Sequence, residues 1–246
     1  MLSIKKSVRT FLPLFLFLFL FLNSAFAQDV ILEQKPDPTA TSNFGANKAW
    51  FAQITAGFGT LVGTGDSKLS YNDWRSNDIR VGIKLKRKIN GLLSVWLEPE
   101  YHYAAYNVNQ TEPKITDTLF WNGPVKHDKE RFATEGLLVN GFLRFNLDYK
   151  RGNFLGYYLD FGAGANVVVD PEYLAVDKKS NGSVATTSYS GVPYMNSVNY
   201  NVLARIGVNW IAFVFNYRVS SIFKSQYNIP EPSVFTAGIE INPYGH

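Results

Sequence analysis

Residues Gly136 to Val169 decide the fold, and they read GLLVNGFLRFNLDYKRGNFLGYYLDFGAGANVVV. On both sides of the central Lys150–Asn153 segment, apolar residues alternate with polar residues or glycines. A period of two is typical of a β-strand with two different faces, and a short segment containing glycine is typical of the turn between two strands. Both strands exceed the usual length of about 5–6 residues. The stretch therefore predicts a long β-hairpin.

The same alternation recurs along the rest of the chain and predicts eight strands in total. Besides the hairpin, the predicted strands are Trp50–Val62, Asp78–Arg87, Leu92–Tyr106, Val198–Trp210, Ile211 to about Phe223, and Ser233–Asn242. Long polar connections are predicted at Gly63–Asn77, Asn107–Ala133, Asp170–Ser197 and Lys224–Pro232, and they alternate with tight turns such as Asn90–Gly91. An even strand number with long loops at one rim and short turns at the other is the pattern of an outer-membrane barrel.

The alternation alone leaves open which face points outward, because a soluble lipocalin-like barrel has the same period with apolar side chains inside. The polar rows are rich in Gly, Asn, Ser and Thr rather than in Lys and Glu, which favours a crowded interior. Aromatic residues also gather near the ends of the apolar rows, as the girdles at the two membrane interfaces require. These are Trp50, Tyr149 and Trp210 at the tight-turn rim, and Tyr101, Tyr103, Tyr200 and Tyr217 toward the long-loop rim. We therefore predict an all-β fold, an eight-stranded antiparallel up-and-down transmembrane β-barrel with its apolar rows toward lipid.

The N-terminus has the pattern of a secretory signal. Basic residues precede an apolar run, Phe11 to Leu22, and Ala25-Phe26-Ala27 is a small-residue cleavage site. The run is shorter than the roughly 20 residues that span a bilayer. We predict a signal peptide at 1–27, an extended periplasmic segment at 28–48 and the barrel at 49–246. Loss of the three basic leader residues lowers the formal net charge from +4 to +1, so no nucleic-acid partner is indicated.

Three segments resemble the small outer-membrane barrels of the OmpA/OmpX type, and more closely the family called "outer membrane protein beta-barrel domain". They are Ile79–Lys88, Tyr149–Phe154 and Ala204–Asn209. The resemblance implies the outer membrane of a Gram-negative bacterium and contact with its lipid and lipopolysaccharide. It also implies insertion by the barrel-assembly machinery, and it includes no catalytic motif.

Charged residues on the inward rows predict a structural ion-pair network, since eight strands leave an interior that side chains just fill. The candidates are Arg80, Lys84, Lys86, Arg144, Arg205 and Arg218, against Glu98, Glu100, Asp148, Asp160 and Glu240. Because an unpaired buried charge is costly, we expect Glu98 and Glu100 to face cations among Arg80, Lys84, Arg144 and Arg218. The alternative is a selectivity or proton path through a narrow channel.

The sequence indicates no enzyme, no metal site and no cofactor. His102 lies on an inward row without a serine at the spacing that a lipid A-modifying hydrolase would need, and His127 lies in a charged loop beside Asp128. Asp117-Thr118-Leu119 resembles an O-glycosylation acceptor, and the composition of Ser180–Asn196 suits contacts with a surface ligand. We expect a structural or surface-interaction role. A membrane-embedded lipid-modifying enzyme and a channel or secretion-system accessory remain the alternatives.

Overall fold

The structure is a computed structural model, which describes residues 42–63, 71–109, 127–148 and 150–243. The strands are β1 (Trp50–Val62), β2 (Asn77–Lys88), β3 (Leu93–Asn107), β4 (Lys129–Asn146), β5 (Tyr157–Lys178), β6 (Val184–Ser190), β7 (Val198–Val208), β8 (Ile211–Arg218) and β9 (Phe235–Ile241). A single turn of 3-10 helix, Ser225–Tyr227, precedes β9. In the part of the chain described, no helix has the length and apolarity needed to cross a membrane.

Eight of the strands form a closed antiparallel barrel. Each strand pairs with its neighbours in chain order, β5 pairs with β7, and the β1–β9 pairing closes the ring. Strand β6 stands outside the ring, because it pairs only with the distal part of β5, from Glu172 to Lys178. The predicted eight-stranded antiparallel up-and-down barrel is therefore confirmed.

The barrel is apolar outside and charged inside. Phe58, Tyr157 and Phe213 are each more than half exposed on the outer face, and most of the other large exposed apolar side chains share that face. Arg80, Lys84, Arg144, Arg205, Glu98, Glu100, Asp160 and Glu240 lie inside, each at most 2% exposed. A soluble barrel has the opposite distribution, so this arrangement is that of a transmembrane β-barrel.

The predicted loop between Asp170 and Ser197 is wrong in its first part. Strand β5 continues to Lys178, and β6 returns beside it to form a two-stranded extension of the barrel wall at the long-loop rim. Strand β4 likewise begins at Lys129, inside the predicted Asn107–Ala133 loop. The outward side of β5 becomes half-buried from Asp170 onward, while Tyr173 and Ala175 on the inward side are buried. With both sides covered, the sequence need not alternate, and periodicity alone does not detect such strands.

Two other boundaries differ from prediction. Strand β8 ends at Arg218 rather than near Phe223, and Ile222 and Phe223 are buried. The central turn runs from Leu147 to Gly156, and Leu155 within it is buried at 1% exposure, not lipid-facing. Part of the predicted extended segment is also described. There Gly45 donates its N–H to the Trp50 carbonyl across 2.8 Å, so residues 43–49 turn back toward β1.

The β7–β8 connection is a two-residue turn that needs a left-handed backbone. Asn209 has a φ of 52°, a region that asparagine tolerates better than most residues. Its side-chain oxygen accepts the Gly156 N–H at 3.1 Å, and its own N–H donates to the Gly156 carbonyl at 2.9 Å. These two bonds join the β7–β8 turn to the central turn at the same rim.

Candidate functional site

The middle of the barrel holds a belt of ion pairs. Glu98 contacts Lys84 Nζ at 3.2 Å and Arg205 Nη2 at 2.5 Å. Glu240 contacts the same two cations, with 2.8 Å to Arg205 Nη2. Arg144 donates two hydrogen bonds to Asp160, of 2.7 and 2.8 Å, the fork geometry that makes such pairs strong. These side chains come from six strands, so the belt ties opposite walls of the barrel together.

Glu100 differs from its neighbours in this belt. It is 1% exposed, and its Oε2 accepts a hydrogen bond from Asn140 Nδ2 at 3.0 Å. Among the described residues no cation lies within ion-pair distance of it, and its Oε1 has no hydrogen-bond partner. The expectation that Glu100 would pair with a cation is therefore wrong for the described chain. Glu98 does pair, with Lys84 and Arg205.

Above the belt, toward the long loops, Arg80 pairs with Asp78 at 2.8 Å, and His102 Nε2 lies 2.9 Å from the other Asp78 oxygen. A cavity of about 40 Å³ adjoins this group, and its lining combines Asn166, Asn199 and Asn201 with apolar side chains such as Leu61 and Leu138. A buried water needs roughly 10–15 Å³ of such volume, so the cavity accommodates only a few waters.

Besides Arg80, three residues of the predicted ion-pair network lie outside the belt. Lys86 donates to the Ala46 carbonyl and sits between the rings of Phe51 and Trp96, 5.7 and 5.9 Å from their centroids. Asp148 is half-buried in the central turn, where its backbone carbonyl accepts from Arg151 at 2.8 Å. Arg218 pairs with Glu231 at 2.9 Å near the long-loop rim, and not with Glu98 or Glu100 as expected.

The tight-turn end of the barrel holds an apolar cluster, which we call the floor. Its buried members are Ala46, Phe51, Trp96, Phe142, Leu155, Tyr158, Leu203, Ala212 and Val214. The Arg144 guanidinium stacks between two of these rings, 4.2 Å from Trp96 and 3.5 Å from Tyr158. The floor therefore packs directly against the charge belt, and aromatic faces offset part of the cost of burying that cation.

The long-loop end holds a second apolar cluster, which we call the roof. Its buried members are Leu61, Tyr71, Ala104, Tyr106, Val108, Phe132, Tyr173, Ala175, Val192, Tyr194, Met195, Ile222, Phe223 and Ile229. Phe132 is fully buried, with the rings of Phe223 and Tyr173 at 5.2 and 5.4 Å. The described connections at residues 191–197 and 219–234 thus pack together over the lumen at this rim.

Polar contacts hold the roof in place. Glu231 accepts the backbone N–H groups of Ile222 at 3.2 Å and Phe223 at 3.1 Å, as well as the Arg218 guanidinium. Tyr71 donates its hydroxyl to the Pro230 carbonyl at 2.9 Å. Burial raises the pKa of Tyr71 well above its ordinary value, and the nearby Glu231 carboxylate raises it further. The phenol therefore stays protonated and keeps this hydrogen bond at all physiological pH values.

Comparison with known proteins adds little to this geometry. No family model matches the chain, and no curated protein matches it either. Among solved structures, the chain is similar to Ail, the attachment invasion locus protein of Yersinia pestis, in complex with the heparin analogue sucrose octasulfate. The similarity covers 78% of this chain and 94% of that chain, with 10% sequence identity and a TM-score of 0.32. At that score it supports no conclusion about this chain, and the resemblance to a named family stays a prediction.

Both histidines that the sequence offers as catalytic candidates lie beside an aspartate. His102 is buried in the lumen against Asp78, and His127 Nδ1 lies 2.9 Å from Asp177 near the β4–β5 tip. Oxygens of Glu98, Glu100 and Glu240 come within 4.8 Å of one another, as a metal site would require. Lys84 and Arg205 already neutralise the charges of Glu98 and Glu240, so these two carboxylates need no metal ion for charge balance.

The predicted aromatic girdles fall on the outer face where the structure describes them. Trp50, Trp210, Tyr200 and Tyr217 are 52%, 50%, 57% and 42% exposed, while Tyr101 and Tyr103 are half-buried. Tyr149 lies outside the described residues, as do the predicted signal peptide and Asp117-Thr118-Leu119.

Sequence reasoning missed the roof and the floor. The inward row of β4 continues past Thr134 to Phe132, where an aromatic residue replaces the polar ones, and β3 does the same at Tyr106. A switch from polar to aromatic residues on an inward row was the available signal for the roof. No comparable signal marks Val192 or Met195, because they lie between strands and are brought over the lumen by distant contacts.

Proposed function

We propose that this chain is an integral outer-membrane β-barrel protein with a sealed lumen, whose long-loop rim serves a structural or surface-interaction role. The observation that supports it most is the closed barrel with an apolar outer face around a charged interior. Water would solvate such an exterior poorly, whereas lipid accepts it and leaves every ladder hydrogen bond satisfied within the ring. The long-loop rim faces the cell exterior in this proposal.

What supports a sealed lumen is the succession of floor, belt and roof along the barrel axis. We also propose that the protein is not an enzyme. What supports this is the position of His102, enclosed in the lumen against Asp78 rather than at the lipid side.

Strand β6 is the element that best suits surface contacts. Its sequence VATTSYS contains no charged residue and no proline, and in the described chain its only strand partner is β5. Natural edge strands are usually protected by such residues, because an open edge accepts further strands. The edge of β6 therefore supports a role in binding a partner at the rim.

The proposal is tested by refolding the protein into phosphatidylcholine vesicles and recording planar-bilayer currents. We expect a folded, protease-resistant band in the vesicles and no steady single-channel conductance. A stable large current from the wild type would replace the sealed lumen with a channel. Failure to associate with vesicles under any refolding condition would overturn the membrane assignment itself.

A further inference from the structure

The two rims of the barrel differ sharply in charge. The tight-turn rim, over residues 43–50, 86–93, 147–156, 209–211 and 241–243, holds six basic residues and one acidic residue. The long-loop rim, over residues 71–78, 127–135, 168–197 and 217–235, holds seven basic and nine acidic residues. The excess of positive charge is therefore confined to the tight-turn rim.

The fold gathers these cations on one side of that rim. Lys88 Nζ donates to the Asn47 carbonyl and to its side-chain oxygen, at 3.0 and 2.9 Å. Asn47 in turn donates its N–H to Asn153 at 3.0 Å and its amide to the Arg151 carbonyl at 2.8 Å. The segment around Asn47 thus brings Lys48 and the end of β2 up to the central turn.

Within the described chain, Lys48, Arg87, Lys88 and Arg151 form no ion pair. Arg151 donates to the carbonyls of Phe154 and Asp148 and to Asn146 Oδ1, all of them uncharged acceptors. Burial lowers the pKa of Arg151, and the positive charge of Arg144 lowers it further. In the described chain, no carboxylate lies within ion-pair distance of Arg87, Lys88 or Arg151.

The cluster also lies where a bilayer would end. Arg87 continues the outward row that contains Leu85, and both side chains are exposed. Its guanidinium stacks over the ring of Trp50, 5.0 Å from the centroid, and Trp50 is 52% exposed. Tryptophan prefers the headgroup level, and basic side chains there extend toward lipid phosphates.

We propose that the tight-turn rim is a binding surface for anionic phospholipid headgroups, with Lys48, Arg87 and Lys88 as its contact residues. This inference rests on the proposed membrane function. It adds which leaflet the barrel recognises: in the proposed orientation, the rim meets the periplasmic leaflet. The uncompensated cations would then both anchor the barrel and fix its depth in the membrane.

The test is electron spin resonance of spin-labelled phosphatidylglycerol and phosphatidylcholine around the protein refolded in phosphatidylcholine vesicles. For the wild type, we expect the lipid immobilised on the barrel to be enriched in phosphatidylglycerol. The enrichment should be roughly fivefold for each cation that reaches the headgroups, and it should fall in high salt. The double substitution Lys48→Gln/Arg87→Gln should abolish most of it. The matched control at the other rim, Lys178→Gln/Lys179→Gln, should leave it unchanged.

Equal immobilisation of the two lipids by the wild type would overturn this inference while leaving the barrel in the membrane. Loss of selectivity in the Lys178→Gln/Lys179→Gln control, with none in the Lys48→Gln/Arg87→Gln variant, would overturn it as well. If no lipid at all is immobilised, the proposed membrane function itself fails. If the substituted proteins do not refold, a wild-type enrichment that does not fall in high salt would still overturn the inference, because exposed cations are screened by salt.

Discussion

Glu98 and Glu100 offer a direct test of how the lumen is stabilised, because they lie two residues apart on the same inward row of β3. If only net charge mattered, Glu98→Gln and Glu100→Gln would have the same effect, since each removes one negative charge from the belt. The contacts predict otherwise. Glu98 joins Lys84 and Arg205, whereas Asn140 is the one described residue from which Glu100 accepts a hydrogen bond.

The expected magnitudes follow from those contacts. Glu98→Gln leaves two cations, each at most 1% exposed, with only part of their negative partners. Breaking a buried ion pair by removing one partner typically costs about 3–5 kcal/mol, and we expect a loss of unfolding free energy in that range. Glu100→Gln keeps the shape and keeps an oxygen for the Asn140 hydrogen bond. We expect a change within about 1 kcal/mol, the net value of one ordinary hydrogen bond.

The assay is urea unfolding of the refolded protein in vesicles, followed by tryptophan fluorescence and by the mobility of the unboiled protein on gels. The wild type and Glu98→Asp serve as references, because aspartate keeps the charge while shortening the side chain. Equal destabilisation by Glu98→Gln and Glu100→Gln would refute the argument from specific contacts. A larger loss for Glu100→Gln would show that its isolated carboxylate has a stabilising partner in solution.

Three further predictions concern the wall and the rim. Val139→Arg should cost roughly 2–4 kcal/mol of folding free energy in bilayers because it puts a charge on the lipid face, with Val139→Leu as the control; equal stabilities would contradict the facing of β4. Gly82→Ala should destabilise the protein by about 1–3 kcal/mol by overpacking, because the new Cβ would lie 2.3 Å from the Pro99 carbonyl oxygen. Gly141→Ala has open space around its Cβ and should be neutral in the same urea titration. Trypsin added to intact cells should cut, if at all, after the exposed Lys178 or Lys179 at the β5–β6 tip, and cutting confined to the tight turns would reverse the proposed topology.

Asn140→Arg should be as severe as Val139→Arg, although position 140 faces the lumen and not the lipid. Asn140 is in fact fully buried, it donates to Glu100, and its Oδ1 lies 1.9 Å from where a Cβ on Gly164 would stand. There is no room for an arginine, so we expect both substitutions to be severe in the same bilayer-refolding titration.

The sequence by itself determined the barrel, because closure depends on information that is local and periodic. Alternation with a period of two assigns every residue of a strand to one face, and the order of long and short connections sets the two rims. From these, the sequence predicted the strand count of the ring, the outer apolar face and the inward position of Arg144, Asp160 and Glu240. Each of these predictions depends only on residues that are neighbours along the chain. A shift of the alternating pattern by one residue would exchange the two faces of a strand.

Only the tertiary structure decided how the lumen is filled. The partner of an inward charge depends on the stagger between strands that lie far apart in sequence. Arg205 and Glu98 are separated by 107 residues and meet across the barrel, while Arg218 turns to Glu231 at the rim. The floor and the roof depend in the same way on long-range packing, which brings Ala46 beside Trp96 and Phe223 beside Phe132. No periodicity encodes such contacts, because they arise only once the ring has closed.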